Sequence, residues 1–353
     1  MGGKALLQYG IKTERKNTND FYNIMGKIAV RLTYGLGITM SIPVRFSYGT
    51  TLTSQTIKTY HTKPDHGDLD VLIKMDENFR NKKIELKKYV EETFHPNVIH
   101  NNSGVLSFDY ESFQIDFIPI KECNWDIANV YYSYDPLGNI MGKTFHRFNL
   151  SYGWEGLYYK YRNFNGINSN NILLSKDPKK IFDFGGYDYE KYLNGFDTLE
   201  DIFKFVIDSK YFDAEMFQFK NLNQIDKKRN RKRASYKIFL EYLEKNDIRN
   251  QYLFDHTKEN YIPLIDKFFP EANLITEMDK LKQIDEINRS INEKFNGKIV
   301  MEWLPELQGK ELGAAITKFK KVLDDKYEDF ILFATPHQIH DKFMEIYNDK
   351  HGS

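Results

Sequence analysis

The arrangement of hydrophobic and polar residues predicts β-strands in two stretches of the chain, and both stretches carry acidic side chains. The first covers residues 67–73, where Asp68 and Asp70 open an otherwise apolar run. The second covers residues 113–120, and Asp116 lies inside it. Side chains two residues apart on a strand point to the same face. The pattern therefore predicts that Asp68 and Asp70 share one face and that Asp116 lies on a nearby strand.

The pattern around these stretches predicts a small sheet flanked by helices. Helical spacing of apolar residues and strand alternation indicate the elements, which are a helix over 21–36, a strand over 42–48, a helix over 81–94 and a hairpin of 105–110 and 113–120. Residues 54–66 are too polar for a core element. Beyond residue 136 we predict a helical, aromatic-rich region, with a helix start at Asp177-Pro178 and charged amphipathic helices over 236–247 and 275–295.

Carboxylates inside apolar strands need a compensating charge, because an unpaired buried carboxylate is costly. Mg²⁺ prefers a few carboxylate oxygens, with water and substrate phosphates completing its coordination. Two such ions can activate an attacking hydroxyl and stabilise the leaving oxygen in a phosphoryl displacement. The sequence therefore predicts that Asp68, Asp70 and Asp116 bind two Mg²⁺ or Mn²⁺ ions for nucleotidyl-transfer chemistry.

Composition restricts the class of protein. The length of 353 residues predicts two or three domains. Fifty basic residues balance fifty acidic ones, so any nucleic-acid site must be a local patch. The single Cys123 excludes an intrachain disulfide and a cysteine-based zinc site. Since no apolar run is long enough to span a bilayer and the N-terminus lacks a signal-like segment, we expect a cytoplasmic protein without a membrane partner.

Two groups of basic residues are candidates for phosphate contacts. The strongest basic run contains Lys227, Lys228, Arg229, Arg231, Lys232 and Arg233. As a nucleic-acid contact it would neutralise phosphates without reading sequence, and the alternative is a solvated helix face. Lys143 and Arg147 have helical spacing and follow the acidic strands; they are predicted to face an incoming triphosphate, although a surface helix explains them as well.

The acidic pattern resembles that of the DNA polymerase beta-like nucleotidyltransferase superfamily, which includes family X polymerases, CCA-adding enzymes and poly(A) polymerases. The resemblance covers about residues 40–120. It lies in the turn at Tyr48-Gly49-Thr50, in Asp68-Leu69-Asp70 and in Asp116. It implies that Asp68 and Asp70 hold both metals, that Asp116 helps to activate the acceptor hydroxyl, and that the Gly49-Thr50 turn cradles the triphosphate. Thr50 stands where the family usually has Ser or Gly, and the interval from Gly49 to Asp68 is longer than expected.

The resemblance implies a nucleotidyltransferase of α+β fold, with a small mixed-sheet domain followed by mostly helical accessory regions. We expect residues 1–165 to form the catalytic domain, with an N-terminal arm and helix. Residues 166–353, divisible into 166–225 and 226–353, are expected to bind the acceptor.

The predicted reaction moves a nucleoside monophosphate from a nucleoside triphosphate to a hydroxyl, with the 3′ end of RNA favoured and no template, because no segment resembles the helix-hairpin-helix modules of family X repair polymerases. Three alternatives stay open: a reduced family X-like DNA polymerase, a toxin-like transferase acting on tRNA or a protein, and a non-catalytic nucleic-acid-binding scaffold.

Overall fold

The computed structural model describes residues 3–36, 38–41, 52–75, 79–163, 166, 168–250 and 252–349. The chain forms two compact units, one of residues 1–160 with 171–272 and the other of residues 161–170 with 273–353. The strand predicted over 42–48 and the Gly49-Thr50 turn lie outside the described residues. The division at residue 165 into a catalytic domain and an acceptor-binding region stays a prediction.

Among its described residues, the first unit contains eight strands before residue 122, and six of them form its main sheet. Its first eight strands are β1 (Lys16–Asn17), β2 (Ile38–Ser41), β3 (Leu52–Thr56), β4 (Asp65–His66), β5 (Asp68–Met75), β6 (Ile99–Asn102), β7 (Val105–Tyr110) and β8 (Phe113–Lys121). The helices between them are α1 (Thr18–Leu36) and α2 (Phe79–Phe94). These bounds confirm the helices and the hairpin predicted for this part. The polar residues Ser54 and Thr56, predicted to lie outside the core, are buried on β3, so that part of the prediction is wrong.

Six strands form the main sheet in the order β2-β3-β5-β8-β7-β6. β5 and β8 run parallel near its centre, and β3 and β7 flank them in antiparallel pairing. Alternation separates the two faces of β5, because Leu69, Val71 and Ile73 are buried against α1 and α2. Leu72 lies on the other face, in a smaller apolar cluster. Full burial of each such side chain stabilises the fold by about 1.5–3 kcal/mol.

The chain after β8 contains both helices and strands. The helices of the first unit are α3 (Trp125–Tyr132), α4 (Leu137–Arg147), α5 (Pro178–Gly185), α6 (Tyr189–Asn194), α7 (Leu199–Ile207), α8 (Gln224–Asn230), α9 (Ala234–Lys245) and α10 (Ile262–Phe268). Asp177 caps α5 by accepting hydrogen bonds from the amides of Lys179 and Lys180, which confirms the predicted helix start.

Three strands interrupt the region predicted to be helical beyond residue 136. They are β9 (Leu150–Gly153), β10 (Gly156–Arg162) and β11 (Asn168–Ser175), in the sheet order β11-β10-β9. Gly153 pairs with Gly156 across a tight turn, and Gly156 adopts a φ of 134° that favours glycine. Leu157, Tyr159 and Tyr161 are buried at every second position. The period here is therefore that of a strand, and the helical prediction for this stretch is wrong.

The second unit contains a helical core. Its helices are α11 (Leu274–Lys294), α12 (Gly297–Trp303), α13 (Gly309–Leu323), α14 (Tyr327–Phe333) and α15 (Pro336–Asn348). Phe295, Phe319 and Phe343 pack together at its centre. Across the described ranges, no helix has the length and apolarity needed to cross a membrane. A small mixed sheet followed by mostly helical regions confirms the α+β fold class.

Candidate functional site

Three carboxylates come together on the central pair of strands. In the parallel register of β5 and β8, Asp70 lies opposite Asp116 and Asp68 lies opposite Gln114. Asp68 and Asp70 are two residues apart, so they project from the same face. One ligand oxygen from each of Asp68, Asp70 and Asp116 lies within 4.8 Å of the others. The sheet register therefore forms the predicted acidic cluster.

The surroundings of the cluster disfavour the charged form of each acid. Burial raises the pKa of Asp116 to about 7, and the charge of Asp68 adds to the shift. Burial also raises the pKa of Asp70 well above its ordinary value, with further contributions from Asp68 and Asp116. The pKa of Asp68 is raised by burial as well, while the amide of Gly3 and the charge of Lys63 oppose the shift. Without a bound cation, the three acids therefore hold protons more tightly, and carry less negative charge at neutral pH, than three free carboxylates would.

The donor set fits a hard divalent cation. Three carboxylates supply oxygen ligands of the type that Mg²⁺ and Mn²⁺ prefer. A bound cation would stabilise the negative charges that burial and mutual repulsion otherwise destabilise. Asp68, Asp70 and Asp116 are therefore the residues that would hold it.

Backbone and side-chain amides surround the acids, and sequence reasoning missed them. The Gly3 amide donates to Asp68 Oδ2 at 2.9 Å. Gln114 Nε2 donates to both carboxylate oxygens of Asp116, at 3.0 and 3.1 Å. The amide of Ala5 in turn donates to Gln114 Oε1 at 2.9 Å. The position of Gln114, two residues before Asp116 on the same strand face, was a usable signal, whereas nothing local marks Gly3.

A chain of backbone contacts connects the acids to the basic run. The amide of Ile57 donates to the carbonyl of Asp70 at 3.2 Å, and the amide of Tyr134 donates to the carbonyl of Lys58 at 2.8 Å. Asp135 follows directly, and its Oδ1 lies 3.4 Å from Arg233 Nη1. The negative charge of Asp135 also helps to raise the pKa values of Asp68 and Asp70. Arg233 is thus bound to a carboxylate that acts electrostatically on the cluster.

The other basic residues of the run differ in exposure. Lys227, Lys228 and Arg229 belong to the last turn of α8, and Arg231, Lys232 and Arg233 follow it. Lys228, Arg229, Arg231 and Lys232 are exposed, whereas Asn230 is fully buried and accepts a hydrogen bond from Asn139 at 3.1 Å. The buried asparagine fixes the end of the helix while the cations around it face solvent. A nucleic-acid contact by this run stays a prediction.

Lys143 and Arg147 of α4 contact carboxylates of later segments. Lys143 is buried and its Nζ lies 2.6 Å from Asp226 Oδ1 on α8. Arg147 Nη2 lies 3.6 Å from Asp213 Oδ2. Burial lowers the pKa of Lys143, and the hydrogen bond to Asp226 opposes that shift. These contacts give both residues a structural role, and their predicted contact with a triphosphate stays a prediction.

A second group of potential ligands lies on α15 in the other unit. His337, His340 and Asp341 offer ligand atoms that all lie within 4.8 Å of one another. The side chains of His337 and Asp341 are mostly exposed, and the rings of Trp303 and His340 pack perpendicular to each other at a centroid distance of 5.1 Å. Imidazole nitrogens favour transition metals over Mg²⁺. This group must therefore be controlled for when metal binding is measured.

Comparisons with known proteins find matches among solved structures. No family model matches the chain. No curated protein matches it either. The chain is similar to two solved structures of Leishmania infantum polymerase beta, each at 10% identity and a TM-score of 0.36. For the ternary P/T complex, the match covers 50% of this chain and 74% of the polymerase chain. For the ternary gap complex, it covers 48% of this chain and 67% of the polymerase chain. At this level of identity, the functional interpretation depends on the side chains of the site itself.

Proposed function

We propose that the protein is a metal-dependent nucleotidyltransferase that moves a nucleoside monophosphate from a nucleoside triphosphate to a hydroxyl acceptor. The observation that supports this most is the cluster of Asp68, Asp70 and Asp116 on one sheet face, with ligand oxygens within 4.8 Å. Two Mg²⁺ or Mn²⁺ ions, when bound, would lower the pKa of the attacking hydroxyl and stabilise charge on the leaving pyrophosphate.

Each acid has a distinct place in the proposed reaction. Asp68 and Asp70 open β5 side by side and would hold both ions, with the backbone carbonyl of Asp70 fixed by Ile57. Asp116 lies on the neighbouring strand, oriented by Gln114. It would orient the acceptor hydroxyl and accept its proton. The Gly49-Thr50 turn, Lys143 and Arg147 stay our candidates for contacts with the triphosphate.

We propose the 3′ end of RNA as the acceptor. The exposed cations of residues 227–233 are suited to a phosphodiester backbone and carry no base-specific readout. Arg233 and Asp135 connect this run to the vicinity of the acids, so a strand bound along it would lie near them. Because backbone contacts do not require a paired template, transfer would proceed without one.

The experiment incubates the protein with Mg²⁺ or Mn²⁺, each labelled NTP and dNTP, and separate acceptors: tRNA, single-stranded RNA, single-stranded DNA and primed template. Asp68→Asn and Asp70→Asn test the acids. Glu122→Gln is the matched control, because Glu122 is an exposed carboxylate just beyond β8 that pairs with Lys74.

We expect metal-dependent extension of RNA that both aspartate variants lose and the control keeps. Extension of primed template with dNTPs would instead support the DNA polymerase alternative. Labelling of a protein, or of tRNA away from its 3′ end, would support the toxin-like alternative. No transfer to any acceptor, with nucleic acid still bound, would contradict the proposed activity and favour the scaffold.

A further inference from the structure

The first residues of the chain reach the acidic cluster from outside the sheet. The Gly3 amide donates to Asp68 Oδ2 at 2.9 Å, although 65 positions separate the two residues in sequence. Ala5 contacts Gln114, and Gln114 donates to both oxygens of Asp116. Two of the three acids are therefore hydrogen-bonded, directly or through one side chain, to residues 3–6.

Only glycine can make the contact at position 3. Gly3 adopts a φ of 80°, and a Cβ at this position would lie 2.0 Å from the carbonyl oxygen of Gly67. That separation is far inside van der Waals contact with backbone, so the chain would have to move away from Asp68. The Gly3 peptide is also held from the other side, because Thr13 Oγ1 donates to its carbonyl at 2.8 Å.

The segment is anchored as well as hydrogen-bonded. Leu6 is completely buried, and the burial of its side chain contributes about 1.5–3 kcal/mol toward holding residues 3–6 in place. An amide donor on one carboxylate oxygen fixes the orientation of the group and leaves its other lone pairs available for a cation. Hydrogen bonds of this kind also favour the charged carboxylate that a cation requires.

We propose that residues 3–6 are a positioning element of the metal centre, with the Gly3 amide orienting Asp68 and the Ala5 amide orienting Asp116 through Gln114. This rests on the proposed function, since it assumes that the acids bind a divalent cation. The opposite role is that the segment blocks the site, with the Gly3 amide competing for Asp68. The two roles predict opposite changes in metal affinity when the contact is lost.

The test measures Mn²⁺ affinity of the full-length protein by electron paramagnetic resonance of free Mn²⁺. All proteins carry His337→Ala and His340→Ala, so that the cluster on α15 does not contribute. Gly3→Ala is compared with Gly10→Ala, its matched control, because Gly10 has a φ of 79° and open space around its Cβ position. Thr13→Val and Gln114→Met are further variants that leave Gly3 in place, and thermal unfolding shows that each protein is folded.

We expect Gly3→Ala and Gln114→Met to raise the Mn²⁺ Kd about tenfold, the lower end of effects seen for residues that support metal ligands. Gly10→Ala should leave the Kd unchanged, and Thr13→Val should raise it by a smaller factor. Equal Kd values for Gly3→Ala and Gly10→Ala would overturn this proposal alone, and tighter binding by Gly3→Ala would replace it with the blocking role. If the parent protein binds no Mn²⁺, or binds it equally well with Asp70→Asn, then the proposed function and the positioning proposal both fail.

Discussion

Asp70 and Asp116 lie opposite each other in the parallel pairing of β5 with β8. A shift of this register by one residue would move every side chain of β8 to the other face of the sheet. Asp116 would then enter the core beside α1 and α2, and Ile115 or Phe117 would face Asp70. The apolar alternation that fills the core therefore also fixes the acidic cluster, because both depend on the same register.

The raised pKa of Asp116 predicts that the metal-free protein loses stability as pH rises. The folded-state pKa is about 7, above the ordinary value of 3.8. Between these values the unfolded chain has released a proton that the folded protein still binds, so the free energy of unfolding decreases with pH. We expect Asp116 to contribute a decline from about pH 4 to pH 7, measured by urea unfolding in EDTA. Asp116→Asn should flatten this part of the profile of unfolding free energy against pH. An unchanged profile would contradict a raised pKa for Asp116.

Asp70→Asn should stabilise the metal-free protein while removing activity. Burial and two neighbouring carboxylates raise the pKa of Asp70, so the neutral amide removes an unfavourable charge. We expect a gain of about 1–2 kcal/mol in the free energy of unfolding at pH 8 in EDTA. Transfer activity should fall at least about 100-fold, because metal-assisted charge stabilisation is worth several kcal/mol. Loss of stability in this variant would show that Asp70 has a structural role that we have not identified.

Lys143 provides a test that separates a structural from a nucleotide-binding role. Its ion pair with Asp226 is buried, with side-chain exposures of 6% and 12%. Lys143→Met leaves Asp226 without its cation and should cost about 3 kcal/mol of stability. Adding Asp226→Asn removes the unpaired charge and should recover most of that loss, as followed by urea unfolding. If the double variant is stable but has a strongly raised KM for the nucleotide, Lys143 contacts the triphosphate as well.

Sequence patterns could predict the acidic cluster because its determinants are local. Asp68, Asp70 and Asp116 stand out as charges in apolar strands, and strand alternation decides which face they share. The same patterns could not predict the contact of Gly3 with Asp68, which spans 65 positions and depends on a backbone amide that every residue except proline has.

The strands β9 and β10 show a different limit of sequence interpretation. Aromatic residues dominate this stretch, and many of them fit helical and strand spacing equally well. The tight turn between Gly153 and Gly156 decides the structure, because it brings Leu157 opposite Tyr152 and allows alternate residues to be buried. A prediction that gave the two glycines more weight than the aromatic density would have identified the hairpin.

The basic run at the end of α8 predicts a salt-dependent acceptor affinity. Lys228, Arg231 and Lys232 are exposed, so replacing all three by alanine should leave the fold intact. Each lost phosphate contact on a single strand should reduce the slope of log K against log salt by about 0.7. We expect weaker RNA binding and a slope smaller by about 2, measured by fluorescence anisotropy between low and moderate salt. Lys87→Ala with Lys88→Ala on α2 is the matched control, since both residues are exposed on a helix that packs on the sheet face opposite the acids. An equal change in slope for the control would mean that RNA binds the protein without using the basic run.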